Sequence, residues 1–260
     1  MIYLLKLESI TVKFSGLIAV DNLTMTVKDR VIHSLIGPNG AGKTTVFNSI
    51  SGLVKHSGKI YIDDKDITHI PVYRRVEYGL GRSFQNVIIF KYLTVLQNLM
   101  LGYHHSLNYG VLDELISTNK YEKLEKNARL KAIDVADLIG IKNLLSVYAG
   151  TLPYGYQKLI DVGRALMSEP KILLLDEPAA GLTEKESDIL KERIRRIKDS
   201  GITVFLIEHD MNMVMDISDE ITVINFGKKI AEGSPREIVN NEEVIKAYLG
   251  TGFEEVNYNE

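Results

Sequence analysis

Residues 37-GPNGAGKT-44 constrain this chain more than any other stretch, because they match G-x-x-x-x-G-K-[ST] at every fixed position. Glycines at these positions let backbone N–H groups curl around phosphate oxygens. Lys43 can reach the β- and γ-phosphates, and the Thr44 hydroxyl can ligate Mg²⁺. A chance match in a turn is the alternative. The context answers it: 31-VIHSLIG-37 reads as a strand, and TTVFNSI after the loop reads as a helix whose positive end adds to anion binding. The candidate phosphate-binding residues are Gly37, Asn39, Gly40, Ala41, Gly42, Lys43, Thr44 and Thr45.

Around this loop the pattern is mixed α/β. Leu23, Met25 and Val27 are separated by Thr24 and Thr26, which predicts half-buried antiparallel strands over the first thirty residues. Residues 58-GKIYIDDKDI-67 read as an edge strand with an Asp-rich turn. From about 92 to 139 the spacing is helical, with Leu96, Leu99 and Met100 and then Leu130, Ile133, Asp134 and Leu138 on the predicted stripe, the Asp its one polar exception. Gly140 is a predicted stop. A helix at 152–168 precedes 171-KILLLDE-177, an apolar run that predicts a strand buried on both faces of a parallel sheet. Residues 184–199 predict an amphipathic helix burying Leu190, Ile194 and Ile197 and ended by Ser200-Gly201, with a buried strand at 202–207 and a hairpin around Gly227. The expected organisation is one domain over 1–250, with a helical segment of about 87–165 inserted in the α/β core, and a polar tail at 251–260.

Composition removes several function classes. The chain has 260 residues, 45% hydrophobic and 25% charged, ordinary values for a globular protein. A net charge of −3 argues against a nucleic-acid partner. Without cysteine there is no disulfide, thiol nucleophile or thiolate metal site, and the six histidines show no metal-ligand spacing. No apolar run approaches the roughly 18 residues that span a bilayer. The opening MIYLLKLESI is too short an apolar run for a secretion signal, so the expected compartment is the cytoplasm, with any membrane link made through partners.

Further candidates accompany the loop. In 172-ILLLDEP-178 a buried strand ending in a carboxylate places Asp176 where it can hold the Mg²⁺ shell, and Glu177 can polarise an attacking water. Alone, such a pair is as readily a solvated strand end; beside a phosphate cradle the catalytic reading is stronger. A lone histidine is more often structural, but His209 follows the 202–207 strand at a carboxyl end, where ligands sit in open α/β sheets. Gln85 in 82-RSFQN-86 says little by itself. Phe14, 23 positions before Gly37, suits either adenine stacking or a core. The mixed charges of 184–200 read as a solvated face, Met211, Met213 and Met215 as core filler, and Tyr92, Tyr103 and Tyr109 as packing or a partner contact.

Taken in order, Phe14, 37-GPNGAGKTT-45, Gln85, 152-LPYGYQ-157, 172-ILLLDEP-178 and His209 resemble the ATP-binding subunits of ABC transporters, over about residues 4–250. The stretches 80-LGRSFQNVIIF-90, 152-LPYGYQ-157, 174-LLDEPAAGL-182 and 232-EGSPREIVNNEEVIKAYLG-250 are most similar to the ATPases of branched-chain amino-acid importers; urea, lipopolysaccharide and amide systems use similar ATPases. The resemblance implies a P-loop NTPase core with an antiparallel β-subdomain and an inserted α-helical subdomain. It implies ATP and Mg²⁺ as ligands. It implies Glu177, His209 and Gln85 in catalysis, Thr44, Gln85 and Asp176 at the metal, Phe14 at adenine, and Gly155 facing a partner's ATP. Implied partners are integral membrane permease subunits, a second ATPase subunit (a sister or a copy) and an external solute-binding protein. The implied location is cytoplasmic, peripheral on the inner face of the cell membrane.

The sequence departs from that family twice. The common signature L-S-G-G-Q reads Leu152, Pro153, Tyr154, Gly155, Tyr156, so a hydroxyl donor is replaced by a residue with neither hydroxyl nor N–H. Proline suits a first helical turn and Thr151 is a candidate cap. The aspartate usual at position 183 is a threonine. Competing classes are a soluble ABC ATPase working on DNA or ribosomes and a plain nucleotide or metabolite kinase. Single-cassette length, acidity and the missing heptads disfavour the first, and the order of motifs after the P-loop disfavours the second.

Overall fold

The computed structural model describes residues 3–83, 87–103 and 119–249. Strands β1 (Tyr3–Phe14), β2 (Leu17–Lys28), β4 (Ser57–Ile62) and β5 (Lys65–Asp66) form an antiparallel sheet in the order β2-β1-β4-β5. The alternation predicted for β2 is present, but its phase changes. Buried positions run Leu5, Leu7, then Ile10, Val12 in β1, and Val20, then Leu23, Met25, Val27 in β2. The flips fall at Ser9 (φ 52°) and Asn22 (φ 50°), left-handed residues that insert one position. Thr24 Oγ1 accepts from Ser9 N and Thr11 Oγ1 from Asn22 N, so the displaced amides keep partners. The predicted 58–67 strand is a tight hairpin, because Asp63 and Asp64 both take positive φ between β4 and β5.

The second sheet runs β10-β9-β3-β8-β7-β6, built from β3 (Ile32–Ile36), β6 (Leu80–Arg82), β7 (Ile172–Asp176), β8 (Thr203–Ile207), β9 (Glu220–Asn225) and β10 (Lys228–Gly233). Its neighbours pair in parallel except the β9–β10 hairpin. Every residue of β3, β7 and β8 is buried, as their unbroken apolar runs require. Successive side chains feed opposite faces. Ile172, Leu174, Phe205 and Ile207 join the antiparallel sheet and helix α1 (Lys43–Ser51). Leu173, Leu175, Val204 and Leu206 join the helices on the other side.

Those helices are α2 (Val95–Leu101), α3 (Asn119–Leu138), α4 (Tyr154–Leu166) and α5 (Glu184–Asp199), followed by α6 (Met211–Ile217), α7 (Pro235–Val239) and α8 (Glu242–Leu249). Thr94 and Gln97 form a capping box that starts α2. On α3 the buried stripe is not the predicted one. Ala128, Ala132, Val135 and Ala136 face the core while Leu130 is exposed. Alanines permit close helix approach, and Gly163 of α4 helps: a Cβ there would press on Leu99, Val135 and Ile139. Gly140 (φ 73°) ends α3, its N–H bonded to Asp137 O. Leu190, Ile194 and Ile197 are the buried positions of α5, as expected. Met213 is buried and Met211 and Met215 pack against a neighbouring cluster, so these methionines fill core. Among the described residues no helix is long and apolar enough to cross a membrane.

His33 lies wholly inside, edge-on to Phe205 with ring centroids 5.5 Å apart, its Nε2 2.8 Å from Thr222 Oγ1. Burial pushes its pKa down to about 3, and Lys28 and Lys229 push the same way. The unfolded chain holds an extra proton between that value and the ordinary ~6.5. Stability therefore falls as pH drops below ~6.5, by up to about 1.4 kcal/mol per pH unit, and is unaffected by this group above it. Urea midpoints of His33→Gln between about pH 7 and pH 4.5 are expected to fall less steeply than those of the parent; equal slopes would place the acid sensitivity elsewhere.

Candidate functional site

The loop from Gly37 to Gly42 joins β3 to α1 and is fixed by backbone crowding. A Cβ at Gly37 would overlap Ile224 O, and one at Gly42 (φ 102°) would overlap Ala19 O, so only glycine fits either place. Gly227 N donates to Ala41 O at 2.9 Å, and Asp21 N donates to Gly227 O at 3.0 Å, which ties the loop to β2 and to the β9–β10 turn. Helix α1 starts at Lys43 with no side-chain cap, leaving its first amides without an intrahelical partner. Lys43 is buried, and Nζ donates to Gly37 O (2.6 Å) and Pro38 O (3.1 Å). Burial lowers its pKa, while Glu177 and Asp176 oppose that shift.

A cavity of about 340 Å³ opens over this loop, lined by Asn39–Thr45, by Leu17, Ile18 and Ala19 of β2, by Glu177 and by Phe226. Asp176 ends β7 and is almost fully buried. Its Oδ2 accepts from Arg82 Nη2 at 3.1 Å, whereas Oδ1 has no hydrogen-bond partner among the described residues. Burial pushes the Asp176 carboxyl up, against the pull of Arg82. Arg82 Nη1 also donates to Ser51 Oγ (2.7 Å) and Phe47 O (3.3 Å), so one guanidinium joins β6, β7 and α1. Glu177 takes a left-handed backbone (φ 48°) held by its N–H to Ile207 O, and His209 Nδ1 lies 3.9 Å from its Oε2. Such strain persists only where surroundings enforce it.

Two buried charges, Lys158 and Glu208, enforce it here. Lys158 of α4 donates from Nζ to Glu177 O (3.2 Å) and Pro178 O (2.8 Å). Glu208 accepts from Ala179 N (2.7 Å) and His209 N (3.2 Å), and burial raises its pKa. The turn after the acid pair is thus clamped to the helix carrying 152-LPYGYQ-157. Glu208 had a readable signal: it directly follows an unbroken buried strand, as Glu177 does. Lys158 and Arg82 had none.

The sequence candidates do not all meet. Asn39–Thr45 and Glu177 share the cavity, Asp176 lies near Lys43, and His209 reaches Glu177. Phe14 ends β1 half-exposed, opposite Leu17, outside the cavity lining; it is not a core residue. Gln85 lies outside the described residues. Gly155 borders a separate small cleft with Leu182, Glu186 and Ile189. Thr151 does not cap α4: its hydroxyl donates to Tyr148 O, and Pro153 is the cap position, with no side-chain acceptor. Instead the Glu186 carboxylate, whose Oε2 accepts from Thr183 N and Oγ1, lies close beside the Gly155 backbone. Thr183 caps α5 in a capping box, a role it shares with aspartate, which accounts for its toleration at that position.

A family model described as ABC transporter matches residues 20–180. The chain belongs to the ABC transporter family. A second model, for the branched-chain amino acid ATP-binding cassette transporter, matches residues 228–254. The high-affinity branched-chain amino acid transport ATP-binding protein BraF of Pseudomonas aeruginosa is 42% identical, with 95% of this chain and 98% of that protein covered. The LivG protein of Escherichia coli, of the same description, is 40% identical over the same shares. A nucleotide-free ATP-binding cassette has a similar structure, with TM-score 0.81 and 31% identity over 95% of this chain and 98% of that one. A cassette in its ADP conformation matches at TM-score 0.81 and 30% identity, covering 96% and 100%. The expected P-loop α/β class holds, and as an ABC ATP-binding subunit the chain is an ATPase coupled to transport.

Removing Arg82 strands the buried Asp176 carboxylate. Arg82→Met is expected to cost roughly 3–5 kcal/mol in urea unfolding. Adding Asp176→Asn should return at least about half of that cost; strict additivity of the two changes would mean the pair is not coupled.

Proposed function

We propose that this chain is the ATP-hydrolysing subunit of an importer for amino acids, with branched-chain amino acids as the cargo. The observation that carries this reading is the near-full-length identity to proteins named for that transport, joined to the family match at residues 228–254. The ATPase unit spans 1–250, with the helical segment of about 87–165 inserted and 251–260 a tail. The work is done at the inner face of the cell membrane, where the chain is peripheral and contacts permease subunits. Ile88, Phe90 and Tyr92 suit that contact. They are exposed, and the fully buried Asn98 amide moors their loop by bonds to Phe90 N, Phe90 O, Leu93 O and Thr94 O. An external solute-binding protein supplies the cargo, and no nucleic acid takes part.

In hydrolysis the amides of residues 39–45 and Lys43 hold the phosphates against the end of α1. Glu177 takes a proton from water as its oxygen bonds the γ-phosphorus; the bond to the ADP oxygen breaks, giving ADP and phosphate. His209 orients Glu177 or touches the γ-phosphate, and a catalytic role is assigned to Gln85 as well. Mg²⁺ fits the residues present. Asp176 has one buried oxygen without a partner among the described residues, Thr44 offers a hydroxyl at the mouth, and Gln85 is the further candidate. Among the described residues no three His, Asp or Glu side chains converge, which suits an ion that takes most of its ligands from phosphate and water. When bound, Mg²⁺ would neutralise charge on the phosphate oxygens.

The second ATPase subunit completes the site. Gly155 and the start of α4 face a partner's γ-phosphate, so ATP favours the closed pair by differential affinity, and loss of the γ-phosphate releases it. Pro153 forgoes one hydrogen bond there, worth roughly 1.5–3 kcal/mol. Vesicles holding the purified transporter with its binding protein should take up leucine only with internal ATP. Glu177→Gln should abolish uptake while ATP still binds; uptake unaffected by Glu177→Gln, or no uptake of any branched-chain amino acid by the parent, contradicts the reading.

A further inference from the structure

Phe226 is costly where it stands. It is 84% exposed, in a two-residue turn between β9 and β10 where Phe226 (φ 46°) and Gly227 (φ 78°) both take left-handed backbone. Such turns favour Asn-Gly, because most side chains resist positive φ. An aromatic at the first position adds strain and leaves its ring in water. Neither cost is returned by packing within the chain.

The turn's position supplies a use. Gly227 is bonded to Ala41 of the P-loop and to Asp21 of β2, so the turn cannot drift relative to the phosphate cradle. A Cβ on Gly227 would come within 2.8 Å of Ala19 O, which fixes how closely the turn lies on β2. Phe226 lines the same cavity as Lys43 and Thr44, beside Leu17 and Ile18, which are also exposed apolar side chains. One part of the cavity is therefore a charged cradle and another is apolar, without a charged or hydrogen-bonding side chain among Leu17, Ile18 and Phe226. A nucleoside triphosphate has that same division, and a base gains by stacking on an aromatic face.

We propose that the base of the bound nucleotide stacks on the ring of Phe226, with Leu17 and Ile18 completing the apolar part of the site. The proposal rests on the ATP reading and adds a residue from the far end of the chain to the base contact expected of Phe14. It also makes the β9–β10 turn a base-positioning element. Against Leu17, Ile18 and Phe226 the base is held by its face.

Isothermal titration of the full chain with ATP–Mg²⁺ and with inorganic tripolyphosphate separates base from phosphate. Phe226→Ala should lose about tenfold in ATP affinity and bind tripolyphosphate as the parent does, while Phe226→Trp should stay within about threefold of the parent for ATP. Parent-like ATP affinity in Phe226→Ala, with the loss confined to Phe14→Ala, overturns the proposal. So does an equal loss for both compounds, which a distorted P-loop would produce, or a loss of subunit association with no change in ATP affinity. A parent chain that binds neither compound overturns the ATP reading beneath it.

Discussion

The loop between β3 and α1 is wedged between two other backbones, and most of the site depends on that wedge. Ile224 O and Ala19 O approach Gly37 and Gly42 so closely that no side chain fits, and Gly227 bonds Ala41. One strand of each sheet therefore helps to set the curve of the phosphate loop. The antiparallel sheet is more than a lid on the core. It supplies the wall that shapes the cradle and, through Leu17 and Ile18, the apolar lining of the cavity.

A second layer of constraint comes from buried charges. Arg82, Lys158 and Glu208 each take ordinary backbone or carboxylate groups of the site as partners. Buried charges are costly unless paired, so each fixes a geometry that apolar packing would leave loose. Lys158 matters most for mechanism. It ties α4, whose first turn faces the other subunit in the proposed pair, to the backbone of Glu177 in the same chain. In the proposed pair, movement at one phosphate would reach the acid of the other site through a single side chain.

The parts of this fold that the sequence revealed are those set by local pattern. The P-loop was legible because its glycines answer a backbone need, and β7 and β8 because buried parallel strands are unbroken apolar runs. The stripe of α3 was misread because alanine carries little hydrophobic weight, yet alanines are what let helices approach. Thr151 looked like a cap by composition, but the chain reaches α4 through Pro153, and the polar group beside its first turn is Glu186 of another helix. Long-range partners of this kind have no signature in a single sequence. The same holds for Arg82 and for Phe226, whose neighbours lie far away along the chain.

The stretch 151–160 carries the central claim, that this chain holds half of each of two phosphate sites. Beside the Gly155 backbone stands the Glu186 carboxylate, placed where an anion belongs. The direct test uses the assembled transporter, with Lys43→Ala silencing this chain's own cradle and the partner ATPase intact. An ATP analogue bearing a photoreactive group on its γ-phosphate is then activated and the labelled peptides are mapped. A composite site predicts label on residues 152–157 of this chain, delivered from the partner's nucleotide. Label confined to the partner's own chain would contradict it.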